Sequence, residues 1–220
     1  KGVLNLTHRD SHAHPEPLEP GQVYEVSFLL DATSWLFEPG HRIRVSINGA
    51  DYPNSWPSPK LYTGTIHFGG EQASRLILPT IGPQTENYPE PRFLPPPGIP
   101  SPVSGHGERP IWRVTRDYME NKTEVYLRRS GFTRVHERLS ITSMAEATTS
   151  VFERDPAHAT IRGLNQVVLH WPERTIDTRA RGQIESDEQN FHVTIQLEIT
   201  MDGVPFHQRR WMKSVPRQLL

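Results

Sequence analysis

The sequence predicts an all-β protein whose C-terminal half is a long antiparallel meander. Three observations predict it. Twenty-one prolines and fifteen glycines in 220 residues leave few stretches able to hold a helix. From residue 111 onward, apolar and polar side chains alternate over long runs, the period of a strand with one dry face. Turn dipeptides punctuate the chain, Pro20-Gly21, Pro39-Gly40 and Asn48-Gly49 in its first part and Asp202-Gly203 in the meander.

In the first part of the chain, strands are predicted over residues 2–7, 22–30, 42–48 and 61–68. Pro20-Gly21 turns the chain into the second, where Tyr24, Val26 and Phe28 share a face. Before the third, Pro39 presets φ for a turn and Gly40 supplies the positive φ that follows it. Ile43, Val45 and Ile47 then alternate with Arg42, Arg44 and Ser46. Asn48-Gly49 ends the pattern, and Tyr52 is biased toward an extended backbone by Pro53.

Ten prolines fall between Pro79 and Pro110. They predict an extended linker over 79–110, separating a domain at 1–78 from one at 111–220. Strands are predicted in the latter at 111–119, 123–130, 134–142, 148–153, 159–171, 174–186, 190–201 and 205–214. The clearest runs from Phe191 to Ile199, where every odd residue is apolar and every even one polar. Asp202-Gly203 predicts the hairpin that follows. Glu120-Asn121-Lys122 and Ser130-Gly131 fit the earlier turns, and Met144-Ala145-Glu146-Ala147 predicts one short helix within 139–151. The dry face of such a meander must pack on something: the first domain, its own curled edge, or a second copy.

Composition excludes several functions. A formal net charge of −1 gives no electrostatic basis for binding nucleic acid or an anionic membrane. No run of about 18 apolar residues predicts a membrane-spanning helix. The absence of cysteine removes disulfide and thiolate chemistry. A cytoplasmic location is slightly favoured over secretion, although Asn5-Leu6-Thr7 and Asn121-Lys122-Thr123 match the glycosylation acceptor pattern.

No catalytic residues are expected, because a Gly-x-Ser-x-Gly elbow and alternating helices and strands are both missing. His8, His12 and His14, with Asp10, have spacing that a metal could use. Solvated or hydrogen-bonding histidines are the simpler reading, so no metal and no cofactor is expected. His41 and Asp51 are read as a turn residue and a loop organiser, not as a catalytic pair. Tyr52 and Trp56, clustered with Tyr62, Pro53, Pro57 and Pro59, form a rigid aromatic loop. It could face an interface or stack on a ligand.

The wording from Pro39-Gly40-His41-Arg42 to Asp51-Tyr52-Pro53 also resembles the C-terminal β-sandwich of X-prolyl dipeptidyl-peptidase and cocaine-esterase-like α/β-hydrolases. Gly2-Val3-Leu4-Asn5-Leu6-Thr7 and Pro20-Gly21-Gln22-Val23-Tyr24 resemble further elements of that domain. The resemblance implies a partial jelly-roll, galactose-binding-like sandwich that accompanies a separate catalytic domain and supports oligomerisation. It implies that the Asp51-Tyr52-Pro53 loop faces that catalytic domain; with Trp56, from the aromatic reading above, these residues are expected to form an interface or ligand-facing loop. The first strands of such a sandwich have no counterpart here, so the chain is expected to be a fragment. It should cover its open edge by dimerising or by docking the C-terminal meander. Residues 111–220 match no motif of that family. The alternative function is a carbohydrate- or small-ligand-binding β module using Tyr52 and Trp56.

Overall fold

A computed structural model describes residues 1–80, 89, 92–94 and 104–220 of the chain. Its core element is one antiparallel sheet of eight strands. These are β1 (Ser104–Gly107), β2 (Ile111–Asp117), β3 (Lys122–His136), β4 (Leu139–Phe152), β5 (Asp155–Trp171), β6 (Arg174–Ser186), β7 (Asn190–Met201) and β8 (Val204–Pro216). Strands β3 to β8 follow one another as a meander, while β1 and β2 share the free edge of β3. The sheet does not close, and each strand contacts only its neighbours in the sheet.

Alternation and turn chemistry place the later strands. In β7, Val193, Ile195, Leu197 and Ile199 lie opposite Ile184, Gly182, Ala180 and Thr178 of β6, so the apolar positions of both strands share one face. The β7–β8 hairpin turns at Asp202-Gly203 as expected, both residues having positive φ (52° and 79°). That is the twist a two-residue hairpin needs. Asp202 fixes the turn further by accepting a hydrogen bond from Thr175 N at 2.7 Å.

Two expectations within the meander are corrected. Ser130-Gly131 is not a turn but lies inside β3, where Gly131 sits opposite Gly107 of β1 and Ser143 of β4. The turn comes instead at Glu137-Arg138, where the Arg138 guanidinium holds both oxygens of Glu173 at 2.8 and 3.0 Å. The helix expected around Met144 is part of β4. Ladders from β3 and β5 flank it on both sides, and tertiary pairing overrides the modest helix preference of Met-Ala-Glu-Ala.

The first part of the chain departs further. Among its described residues there is one 3-10 turn, Leu6–His8, and no strand. The segments read as strands approach one another only at isolated points. Asp31 N donates to Lys1 O at 2.7 Å, Tyr62 Oη to Gly49 O at 2.7 Å, and Ser74 N to His67 O at 2.9 Å. Ile43, Val45 and Ile47 are exposed rather than buried. Alternation marks which side of a segment is apolar, but a strand also needs a neighbour in register. The all-β class therefore holds, and its regular structure is the single sheet. Most of the expected linker (81–88, 90–91 and 95–103) lies outside the described residues, and β1 begins within its last part.

The result is a thin molecule. The chain exposes 18571 Å², whereas a compact monomer of its mass exposes about 10,000 Å². Only Val125, Ala157 and Ala159 are buried apolar residues among those described. They lie toward the end of the sheet nearest the 51–57 loop.

Candidate functional site

The most enclosed part of the molecule is a joint between that loop and the end of the sheet. Proline rigidity and backbone bonds shape the loop. Asn54 N and Ser55 N donate to Asp51 O at 2.8 and 3.1 Å, and the Tyr52-Pro53 peptide is cis. Asp51 also pairs with the Lys1 ammonium, which lowers its carboxyl pKa.

From this loop Tyr52 and Trp56 point into the sheet. Tyr52 Oη donates to Thr160 O on β5 at 2.5 Å. Trp56 Nε1 donates to Ser186 Oγ at the end of β6, at 2.9 Å. The indole stands edge-on to Tyr52 on one side (5.7 Å, 86°) and to Phe191 of β7 on the other (5.2 Å, 83°). Such edge-to-face pairs match the positive rim of one ring to the negative face of another. Ser186 is itself buried, donating to Ala157 O while accepting from Ala159 N at 3.3 Å.

Arg217 closes the joint. It follows Pro216, which ends β8, and it is 1% exposed, the largest fully buried side chain among the described residues. Its guanidinium lies 5.0 Å from the centre of the Phe191 ring. Its N–H groups donate to Pro57 O in the loop, Ala157 O in β5, Asp187 O after β6 and Leu220 O. A planar fork of five donors suits such divergent carbonyls, which a lysine could not span. Burial pulls the Arg217 pKa down, and the Asp187 charge pulls it partly back. Just beyond, Thr7 Oγ1 donates to Leu219 O at 2.9 Å, and His8 Nε2 lies 3.1 Å from Gln218 O.

The joint thus takes in Asp51, Tyr52, Pro53 and Trp56, but not Pro39, Gly40, His41 and Arg42. Those four form a separate exposed turn, with Gly40 at φ 85° and His41 N donating to Glu38 O at 3.1 Å. Sequence reasoning did not find Ser186, Phe191 or Arg217. One signal was available: Ser186 is a polar residue at an apolar-face position of β6. Of the clustered histidines, His8 is buried with its Nδ1 3.3 Å from His12 Nδ1, and His14 is exposed. Among the described residues no group of three His, Asp or Glu side chains is arranged to hold a metal.

Asp187 Oδ2 lies 2.7 Å from His192 Nε2, and Ser214 Oγ lies 3.3 Å from His192 Nδ1. The His192 hydrogen bond and the N–H groups of Gln189 and Asn190 hold the Asp187 carboxyl at about 2. Serine, imidazole and carboxylate stand in the order of a hydrolytic triad, but on an open sheet surface. The hollows on either face of the sheet centre lie elsewhere. The arrangement ties β8 to β7 and the 187–190 turn.

Sequence comparison finds relatives of the N-terminal part of the chain. Residues 1–78 match the family described as the X-Pro dipeptidyl-peptidase C-terminal non-catalytic domain. That domain normally accompanies an α/β-hydrolase catalytic domain. A candidate serine esterase of Mycobacterium bovis is 42% identical over 73 residues, which cover 30% of this chain and 11% of that protein. A Mycobacterium tuberculosis counterpart matches equally. Cocaine esterase of Rhodococcus sp. is 31% identical over 94 residues, covering 36% of this chain and 16% of the esterase. The chain therefore spans only a small part of the length of these relatives. No solved structure matches.

Two outcomes follow from the joint. Replacing Arg217 with Ala strands carbonyls on four parts of the chain and should lower unfolding free energy by about 3 kcal/mol. Arg217→Lys should recover less than half of that. Urea denaturation of the three proteins measures it, and a loss under about 1 kcal/mol would contradict the assignment.

The second concerns alkaline pH. Burial pushes the Tyr52 phenol up from 10.0 to about 12. Its folded pKa lies above its unfolded one, so its contribution is intact below pH 10.0 and is lost as pH rises through about 12. Burial and the bond to Glu146 raise Tyr126 as well, so ultraviolet difference titration should show a late tyrosine component, and Tyr52→Phe should remove its latest part and flatten the alkaline loss of stability. An ordinary titration of all tyrosines would contradict it.

Proposed function

We propose that this chain supplies non-catalytic C-terminal β structure to a serine hydrolase of the X-Pro dipeptidyl-peptidase and cocaine-esterase-like class. Its role is to brace the catalytic domain at the substrate entrance and to support assembly of the enzyme. The observation that carries this reading is the match of residues 1–78 to the non-catalytic domain of that family. Asp51, Tyr52, Pro53 and Trp56 serve as interface residues in it. Residues 111–220 contribute the sheet on which that loop rests. The chemistry of the parent enzyme would be acyl transfer through a serine, with histidine and carboxylate partners in the other domain.

The ligand-binding alternative receives less support. Trp56 already spends its N–H on Ser186 and is flanked by Tyr52 and Phe191, leaving little ring for a sugar to stack on.

The test is an assay of the 220-residue chain against a p-nitrophenyl ester and an X-Pro p-nitroanilide. The expected result is no turnover above buffer. The same chain supplied in one polypeptide with a catalytic domain of this class should raise that domain's melting temperature. Saturable turnover by the isolated chain, abolished by Ser214→Ala, would overturn the proposal.

A further inference from the structure

The two faces of the sheet differ in how their charges are arranged. Register fixes which residues share a face. One row across β3 to β8 reads Arg129, Ala145, Asn165, Ala180, Leu197 and Arg209. The next reads Leu127, Ala147, Gly163, Gly182, Ile195 and Trp211. Together with the rows through Val125 and Gly131, these make an apolar field whose only formal charges are Arg129 at one side and Arg209 and Lys213 at the other. It contains no carboxylate. None of the three cations pairs with a carboxylate among the described residues. Arg209 instead stacks on Trp211, 4.9 Å from the ring centre.

The opposite face follows the usual rule for a wet surface. There Arg162 pairs with Glu185 and Arg181 with Glu198, each at 3.1 Å. Arg113 of β2 and Arg210 of β8 lie on that face too and pair with no carboxylate among the described residues, so what sets the apolar face apart is that it carries cations and no carboxylate at all.

At the centre of the apolar face, glycine and alanine leave a hollow of about 400 Å³, walled by Ile161, Ile184, Val193 and Ile195, with Glu146, Asn165 and Gln183 also in its lining. The hollow is shallow and open to solvent along its outer side. From β3 to β8 the face spans roughly 24 Å at the spacing of neighbouring strands. An apolar floor between cationic rims complements a molecule with a long hydrocarbon body and a negative end. It opposes a second copy stacked face to face, because that would set like charges against each other.

We propose that this face binds the anion of a long-chain fatty acid. The hydrocarbon tail crosses the hollow over Gly163 and Gly182, and the carboxylate is held by a rim cation, Arg129 or the Arg209/Lys213 pair. A guanidinium offers the carboxylate two parallel hydrogen bonds.

Calorimetric titration of the 220-residue chain with sodium dodecanoate, below its micelle concentration, tests the proposal. Saturable one-to-one binding is expected, with no comparable binding of dodecyltrimethylammonium. A Cβ at Gly182 would meet no atom within 4 Å, so Gly182→Leu fills the hollow without disturbing the strand. That variant, shown to be folded by circular dichroism, should lose binding. Arg129→Gln combined with Arg209→Gln should weaken it by about tenfold. Absence of saturation, equal binding of the cationic amphiphile, or unchanged binding by folded Gly182→Leu would each overturn the proposal. So would a dimer in sedimentation that takes up no dodecanoate, since a second copy would then cover the face.

Discussion

A guanidinium leaves water only where its donors find acceptors, and Arg217 finds them on four parts of the chain at once. Its bonds to Pro57, Ala157, Asp187 and Leu220 link the N-terminal loop, strand β5, the 187–190 turn and the C-terminal tail. The positive charge also rests on the face of Phe191, which packs against Trp56. Remove the charge and the carbonyls lose their partner. Remove the carbonyls and the buried charge is untenable. Each therefore requires the other, and the position of residues 51–57 on the sheet follows from that mutual need.

The joint matters because the rest of the molecule has so little interior. A single antiparallel sheet can be solvated on one face but cannot bury the other by itself. Here the end of the apolar face near Ala157 and Ala159 is covered by the Tyr52 and Trp56 loop, and these alanines are nearly inaccessible. The middle of that face stays open, with Ile195 42% exposed. The same geometry that makes a firm anchor at one end leaves an apolar surface at the other. The accessory role and the proposed acyl site draw on those two ends separately.

The sequence was legible where a local rule suffices. Alternation in β7 and the Asp202-Gly203 turn depend on residues close together in the chain, and both were read correctly. Gly131 misled because a glycine can mark either a turn or an uncrowded strand crossing. The Met-Ala-Glu-Ala segment misled because its weak helix preference yields to two flanking ladders. The predicted strands within 1–78 failed for a different reason, since an alternating pattern carries no information about whether a partner is present. At the candidate site, Tyr52 and Trp56 stood out as aromatics on a proline-rich loop. Their partners did not, because Ser186, Phe191 and Arg217 lie 130 or more residues away and only the folded register brings them there.

The central claim is that Arg217 holds the 51–57 loop to the end of the sheet. Hydrogen–deuterium exchange compared between the native chain and Arg217→Ala tests it most directly, because exchange reports local opening segment by segment. Loss of protection at residues 51–57, 157–160 and 186–191, with the centres of β3 to β6 still protected, is the predicted result. Unchanged exchange at residues 51–57 would contradict the account.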